Sequence, residues 1–331
     1  MKLHNDKVYF EQLIRDAATQ KGIAETYIEK DYWVTYALKT LFQSEIGQQS
    51  VFKGGTALVK CYNAIERFSE DIDIIVLRNE RESDNQLTNK IKAIGRAVSS
   101  VLPEVELEGI THKKGKIRKT AHPYERLFNQ DLGQVRAPII LEATWLGHFE
   151  PYTTAYIQTF IGEILQKTGQ NELIEQYALQ PFEVKVLTKE RTFCEKIMSL
   201  VRFSFTENPI FDLKNKVRHI YDVHKLLENE AIQNFFENAD FDNMLLRVAA
   251  EDVKSFKNNN AWLANHPLKA ILFSEIDKTW RQIRRTYTSS FSDLVFGELP
   301  SETAILSTLR KIAQRLNSIE WTIQVPELPP Q

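Results

Sequence analysis

Residues 51–76, VFKGGTALVKCYNAIERFSEDIDIIV, constrain this chain more than any other stretch. A short apolar pair, Val51-Phe52, runs into Gly54-Gly55-Thr56. A segment with helical spacing, a turn at Arg67-Phe68-Ser69, and Asp71-Ile72-Asp73-Ile74-Ile75-Val76 follow. The alternation around Ile72 is that of a strand, so Asp71 and Asp73 share one face and Ile72 and Ile74 the other. Two carboxylates at that spacing repel each other. A divalent cation removes the cost, and hard oxygen donors suit Mg²⁺. Gly54-Gly55-Thr56 at a helix start offers free backbone N–H groups and a hydroxyl to a phosphate. A D-x-D alone reads as a solvated strand edge, and a Gly-Gly alone as a turn. Together, with one helix between them, they read as a metal-assisted phosphate site.

Gly54-Gly55, a helix, then Asp71-Ile72-Asp73 resembles motif I of the DNA polymerase β-type nucleotidyltransferases. The fuller string Gly54-Gly55-Thr56-Ala57-Leu58 … Arg67-Phe68-Ser69-Glu70-Asp71-Ile72-Asp73 resembles the AbiEii/AbiGii toxin family within that superfamily. The resemblance implies that Asp71 and Asp73 bind Mg²⁺ and that Gly54, Gly55 and Thr56, with Arg67 and Ser69, hold the nucleotide. Three further segments carry it in the same order. Glu29-Lys30-Asp31-Tyr32-Trp33 resembles a segment that precedes motif I; read from the residues alone, Trp33 is a core anchor and Glu29 and Lys30 are surface charges. The string from Val186 to Lys196 resembles motif II, whose lysine faces the nucleotide. Arg218-His219-Ile220-Tyr221-Asp222-Val223 resembles motif III, whose aspartate the reaction requires, although an ordinary i, i+4 pair between Arg218 and Asp222 is equally compatible with the spacing. The family has an acid where His219 stands, so that position carries no role over.

Elsewhere the periodicity predicts helices over 7–20, 24–43, 84–101, 189–204, 212–229, 242–256, 269–285 and 301–318, and strands over 104–111, 137–146 and 181–187. Residues 151–180 read as a connecting region, helical around 170–178. Glu142, alone in an apolar strand, is a candidate third carboxylate, since a charge there needs a partner; an edge position facing water is the alternative. Lys113-Lys114-Gly115-Lys116-Ile117-Arg118-Lys119 places five basic residues within seven. It reads either as a solvated hairpin tip or as a contact for polynucleotide phosphates. Arg281, Arg284 and Arg285 read as a solvated helix face.

Composition sets outer limits. A net charge of −2 gives no global field for nucleic acid, so such contacts must be local. Two cysteines make no disulfide framework, which favours a reducing cytoplasm. No signal-peptide core and no membrane-length apolar run is visible. The expected fold is α+β in two lobes: a nucleotidyltransferase lobe over 1–180, with a mixed sheet and flanking helices, and a helical lobe over 181–331 that contributes to the active-site cleft. The resemblance implies a toxin of a toxin–antitoxin or phage-defence pair. It would transfer NMP from an NTP to an acceptor (RNA, with tRNA foremost, or a protein) through Asp71, Asp73, Glu142, Lys196 and Asp222, with a cognate antitoxin as partner. A kinase-like phosphotransferase and a catalytically silent binding protein are the competing readings.

Overall fold

The computed structural model describes residues 2–113, 115–129, 135–256 and 259–326. The chain forms two compact units, one of residues 1–63 and 67–187, the other of 64–66 and 188–331.

The first unit runs α1 (Lys7–Lys21), α2 (Glu25–Phe42), β1 (Ser50–Lys53), α3 (Gly54–Lys60), β2 (Ile72–Val76), α4 (Asp84–Ser99), β3 (Ile117–His122), β4 (Ile139–Thr144), β5 (Tyr152–Ile157), α5 (Phe160–Lys167), α6 (Asn171–Gln176) and β6 (Phe182–Leu187). The helix ends carry local signals. Asp6 accepts the Tyr9 N–H at the start of α1, and Gly22, at φ +67°, ends it in the left-handed conformation that glycine adopts without strain. Ser83 and Gln86 form a reciprocal capping box on α4. The six strands make one mixed sheet in the order β3-β4-β2-β1-β6-β5. Pairs β1–β2, β3–β4 and β5–β6 are antiparallel, while β2–β4 and β1–β6 are parallel. Ile72, Ile74, Ile75 and Val76 are all buried, so β2 lies in the core on both faces, as a central strand must.

The second unit holds α7 (Lys189–Phe203), α8 (Pro209–Lys214), α9 (Val217–Leu227), α10 (Glu230–Glu237), α11 (Ala239–Ser255), α12 (Ile271–Ser274), α13 (Ile276–Thr288) and α14 (Glu302–Asn317). Thr188 caps α7 by accepting the Arg191 N–H. Residues 64–66, between α3 and β2, belong here. The Glu66 N–H donates to the Tyr221 hydroxyl, and the Glu66 carbonyl accepts from Phe296 and Gly297.

Several expectations are corrected. The domain division falls after Leu187 rather than at 180, because β6 pairs with both β1 and β5. Residues 104–111 form no strand; Val105 alone bridges Ala121. The strand is β3, hidden in the sequence by the basic run at its start. Strand β5 also escaped the sequence reading. It is a sheet edge with most of its residues exposed, so no alternation marks it. The helix expected over 212–229 is two, broken at 215–216, and the first begins earlier, with Pro209 in its first turn.

Glu29 and Lys30 are fully buried rather than surface charges. The Glu29 carboxylate accepts the N–H groups of Leu127 (2.6 Å) and Phe128 (3.2 Å). The Lys30 ammonium donates to the carbonyls of Arg136, Ala137 (3.3 Å) and Pro138 (3.2 Å). Burial pushes it down to about 8, although Glu70 and Asp71 pull the other way. Asp31 pairs with Lys60 at 2.6 Å and accepts the Phe160 N–H at 2.7 Å. One turn of α2 thus fastens the backbone on both sides of residues 130–134, including the approach to β4. Lys30→Met strands three carbonyls and is expected to cost about 3 kcal/mol. Amide exchange at 139–141 should accelerate; unchanged exchange there would show that β4 does not depend on this grip.

Candidate active site

The sheet register assembles a row of charge. Lys53 on β1 lies opposite Asp73 on β2, Asp73 opposite Glu142 on β4, and Glu142 opposite Lys119 on β3. Directly opposed residues project to one face. The row therefore reads Lys119, Glu142, Asp73, Lys53, two carboxylates flanked by two ammonium groups. The Lys119 ammonium is 3.3 Å from the Glu142 carboxylate. Burial, then Glu142, then Asp71 push the Asp73 carboxyl up to about 7, against the opposing pull of Lys53 and Lys119. Asp71 lies one residue before β2 and faces Arg136 at 3.5 Å. Its Oδ1 is buried without a hydrogen-bond partner.

The two glycines are there for space. Gly54 has φ +81°, and a Cβ on it would stand 2.1 Å from Asp73 Oδ2. A Cβ on Gly55 would stand 2.7 Å from an Arg67 guanidinium nitrogen and 2.8 Å from Ser69 Oγ. The Thr56 hydroxyl, nearly fully buried, donates to the Asp71 carbonyl at 2.6 Å and lies 3.0 Å from Ser69 Oγ. It ties the end of the Arg67–Ser69 turn to the start of α3. Arg67 is buried and donates to the Phe68 carbonyl. Gly54, Gly55, Thr56, Arg67, Ser69, Asp71, Asp73 and Glu142 are thus joined through one loop and one register. Gly54→Ala should displace the Asp73 carboxylate and lower turnover by about a hundredfold, with the melting temperature changed far less than activity. Turnover within twofold of wild type, roughly the noise of such comparisons, would show that Asp73 need not sit where it does.

In the second unit, Lys196 on α7 and Asp222 on α9 meet at 2.6 Å, and both side chains are buried. Asp222 is therefore turned to Lys196. Both helices depend on the pair, because an ion pair this deep destabilises the fold when one partner is lost.

Divalent metal fits the carboxylates of the first unit. They are hard donors held in mutual repulsion, and one buried oxygen lacks a partner. Among the described residues no three Asp, Glu, His or Cys side chains stand at metal-binding spacing. Mg²⁺ is nonetheless commonly held by one or two carboxylates, with water and substrate phosphates completing its shell.

The basic run is largely paired. Lys113 contacts Glu104 (2.7 Å) and Glu106 (3.0 Å), and Arg118 contacts Glu104 (2.9 Å). The Lys116 ammonium sits 4.4 Å over the Trp145 ring. Lys114 lies outside the described residues. Lys53, Lys30 and Arg136 are near the carboxylates and were not marked as site residues in the sequence. Lys53 adjoins Gly54 and could have been found by its position; Lys30 and Arg136 could not, being distant in the chain.

The family model for the nucleotidyl transferase AbiEii toxin of type IV toxin–antitoxin systems matches residues 36–319. No curated protein matches the sequence. Among solved structures, MenT4, a nucleotidyltransferase toxin from Mycobacterium tuberculosis H37Rv, is similar with a TM-score of 0.53 at 17% identity, over 93% of this chain and 90% of that one. At that identity the likeness is one of fold.

Proposed function

As the chain belongs to the AbiEii family of nucleotidyltransferase toxins of type IV toxin–antitoxin systems, we propose that it transfers NMP from an NTP to RNA, tRNA foremost, with Mg²⁺ at Asp71 and Asp73. Membership implies an NTP substrate and a cognate antitoxin. Among the described residues no helix is long and apolar enough to cross a membrane, and a cytoplasmic site of action is part of the proposal.

The observation that carries this reading is the row Lys119–Glu142–Asp73–Lys53, with Gly54 leaving room for the Asp73 carboxylate. Asp71 and Asp73 would hold Mg²⁺, which would supply charge neutralisation for the triphosphate. Glu142, about a third exposed and beside Asp73, is placed to take the proton of the acceptor hydroxyl. The acceptor oxygen bonds the α-phosphorus as the bond to the leaving pyrophosphate breaks. Lys53 and Lys119 pull the Asp73 carboxyl toward its charged form, against burial, Glu142 and Asp71. Gly54, Gly55 and Thr56 shape the loop for the nucleotide, with Arg67 and Ser69 bracing it. Lys196 is the proposed counter-charge for the phosphates, and Asp222 orients it. Incubation with total tRNA and each NTP in turn tests the reading. Label from α-³²P NTP should enter RNA. Label from γ-³²P NTP alone would instead make the protein a phosphotransferase, and label in protein rather than RNA would replace the acceptor.

The run Lys113, Lys114, Lys116, Arg118 and Lys119 is the proposed RNA contact, with Lys116 the testable member because no carboxylate pairs with it among the described residues. Lys116→Glu should weaken tRNA binding and reduce its log–log salt slope by about one, with NTP binding unchanged. An unchanged slope would return the run to a solvated hairpin.

A further inference from the structure

A cavity of about 490 Å³ lies in the first unit, walled by Tyr32, Tyr36, Tyr177 and Phe182, with Lys2 and Lys39 among its lining residues. Phe182 opens β6, four residues before Val186, which is level with Phe52. The cavity is therefore displaced by about 13 Å along the strand from the level of Phe52, and further still from Gly54, two residues on. Its charge is one-sided: two lysines line it and no Asp or Glu does. The Lys39 ammonium is half-buried; it donates to the Ala178 carbonyl at 2.7 Å and has no carboxylate partner among the described residues. Lys2 sits 4.9 Å over the Tyr36 ring, also without a carboxylate. The Lys39 ammonium also lies 6.0 Å from the Phe182 ring centroid, so both cations stand over aromatic walls of the cavity. Ala178, whose carbonyl meets Lys39, ends α6 in the left-handed conformation (φ +55°), with the Leu179 N–H returning to the Ile174 carbonyl.

Volume decides what kind of occupant fits. A cavity of this size matches a small organic molecule and is too small for a docked helix about 10 Å across. Flat tyrosine and phenylalanine walls favour a planar body, and the lysines favour an acid. We infer that this cavity is a second binding site, separate from the nucleotidyl-transfer site, for a small planar aromatic anion such as an aryl carboxylate or sulfonate.

Two fluorescent dyes test it on the full chain: 8-anilinonaphthalene-1-sulfonate, a planar aromatic anion, and N-phenyl-1-naphthylamine, which has the same ring system without the sulfonate. The sulfonate should bind saturably at one site per chain, and NTP with Mg²⁺ should not displace it. Lys2→Met/Lys39→Met keeps the side-chain length and removes both charges. It should weaken the sulfonate about tenfold or more, as expected for charge-assisted contacts, and change the neutral dye by less than about twofold. Val101→Trp, which fills the cavity from another wall, should remove both dyes while the cooperative melt is retained. The inference is overturned by any of four results: no saturable sulfonate site, wild-type sulfonate affinity in the double variant, wild-type binding of both dyes in Val101→Trp, or displacement by NTP. The last would make the cavity part of the nucleotide site. None of these outcomes depends on whether the acceptor is RNA.

Discussion

Asp71→Asn/Asp73→Asn should abolish transfer, by about a hundredfold at the least, while the protein without metal becomes no less stable. The stability half follows from proton linkage. The Asp73 carboxyl sits at about 7 in the folded chain and near 3.9 once unfolded. Between about pH 4 and pH 7 the unfolded chain has released this proton and the folded chain retains it, so stability falls as pH rises through that window. Above pH 7 the full penalty applies. Asn carries no charge and removes it. In thermal melts without metal, the difference in melting temperature between variant and wild type should therefore be small at pH 4 and grow in the variant's favour toward pH 8. Added Mg²⁺ should raise the wild-type melting temperature at pH 8 and leave the variant unmoved, because carboxylate charge holds the ion against its hydration shell. Growth inhibition on expression should disappear with the transfer. A double variant that still inhibits growth at equal expression would show that nucleotidyl transfer is not how this protein acts on a cell.

Lys196→Ala should cost about 3–5 kcal/mol of stability, because it removes one partner of a buried ion pair. Loss of transfer in that variant alone would therefore prove nothing about chemistry. The pair Lys196→Met/Asp222→Asn separates fold from function. Removing both charges should restore most of the lost stability, since buried ion pairs contribute little over neutral replacements of similar size. Transfer should stay absent, because the lysine charge proposed to face the phosphates is gone. Calorimetry and labelled-NTP incorporation on the single and double variants read the two quantities independently. A stable double variant with wild-type turnover would make the pair a purely structural tie between α7 and α9.

Much of the first unit was legible because its signals are local. Alternation around Ile72 marks β2, the Gly54-Gly55 pair marks the turn into α3, and helical spacing marks α4. The buried grip of Glu29, Lys30 and Asp31 was not legible, because each partner lies more than 25 residues away and a charged residue in a helix reads by default as solvated. An apolar surround on nearly every side of α2 was the available sign that it is wrapped by the fold.

By itself the sequence determined the covalent facts of the site: which residues carry carboxylates, that two glycines precede a helix, and that four motifs run in one order; it also placed Asp71 on the strand face with Asp73, whereas Asp71 lies one residue before β2. Only the tertiary structure decided the register. Strand pairing between residues 53, 73, 119 and 142 is set by packing of the whole sheet. A slip of one residue would turn Glu142 to the other face and leave Asp73 without its neighbour. Burial was decided at the same level. The displacement of the Asp73 carboxyl and the Lys196–Asp222 ion pair arise from what surrounds those side chains, and in both cases the surroundings come from distant parts of the chain.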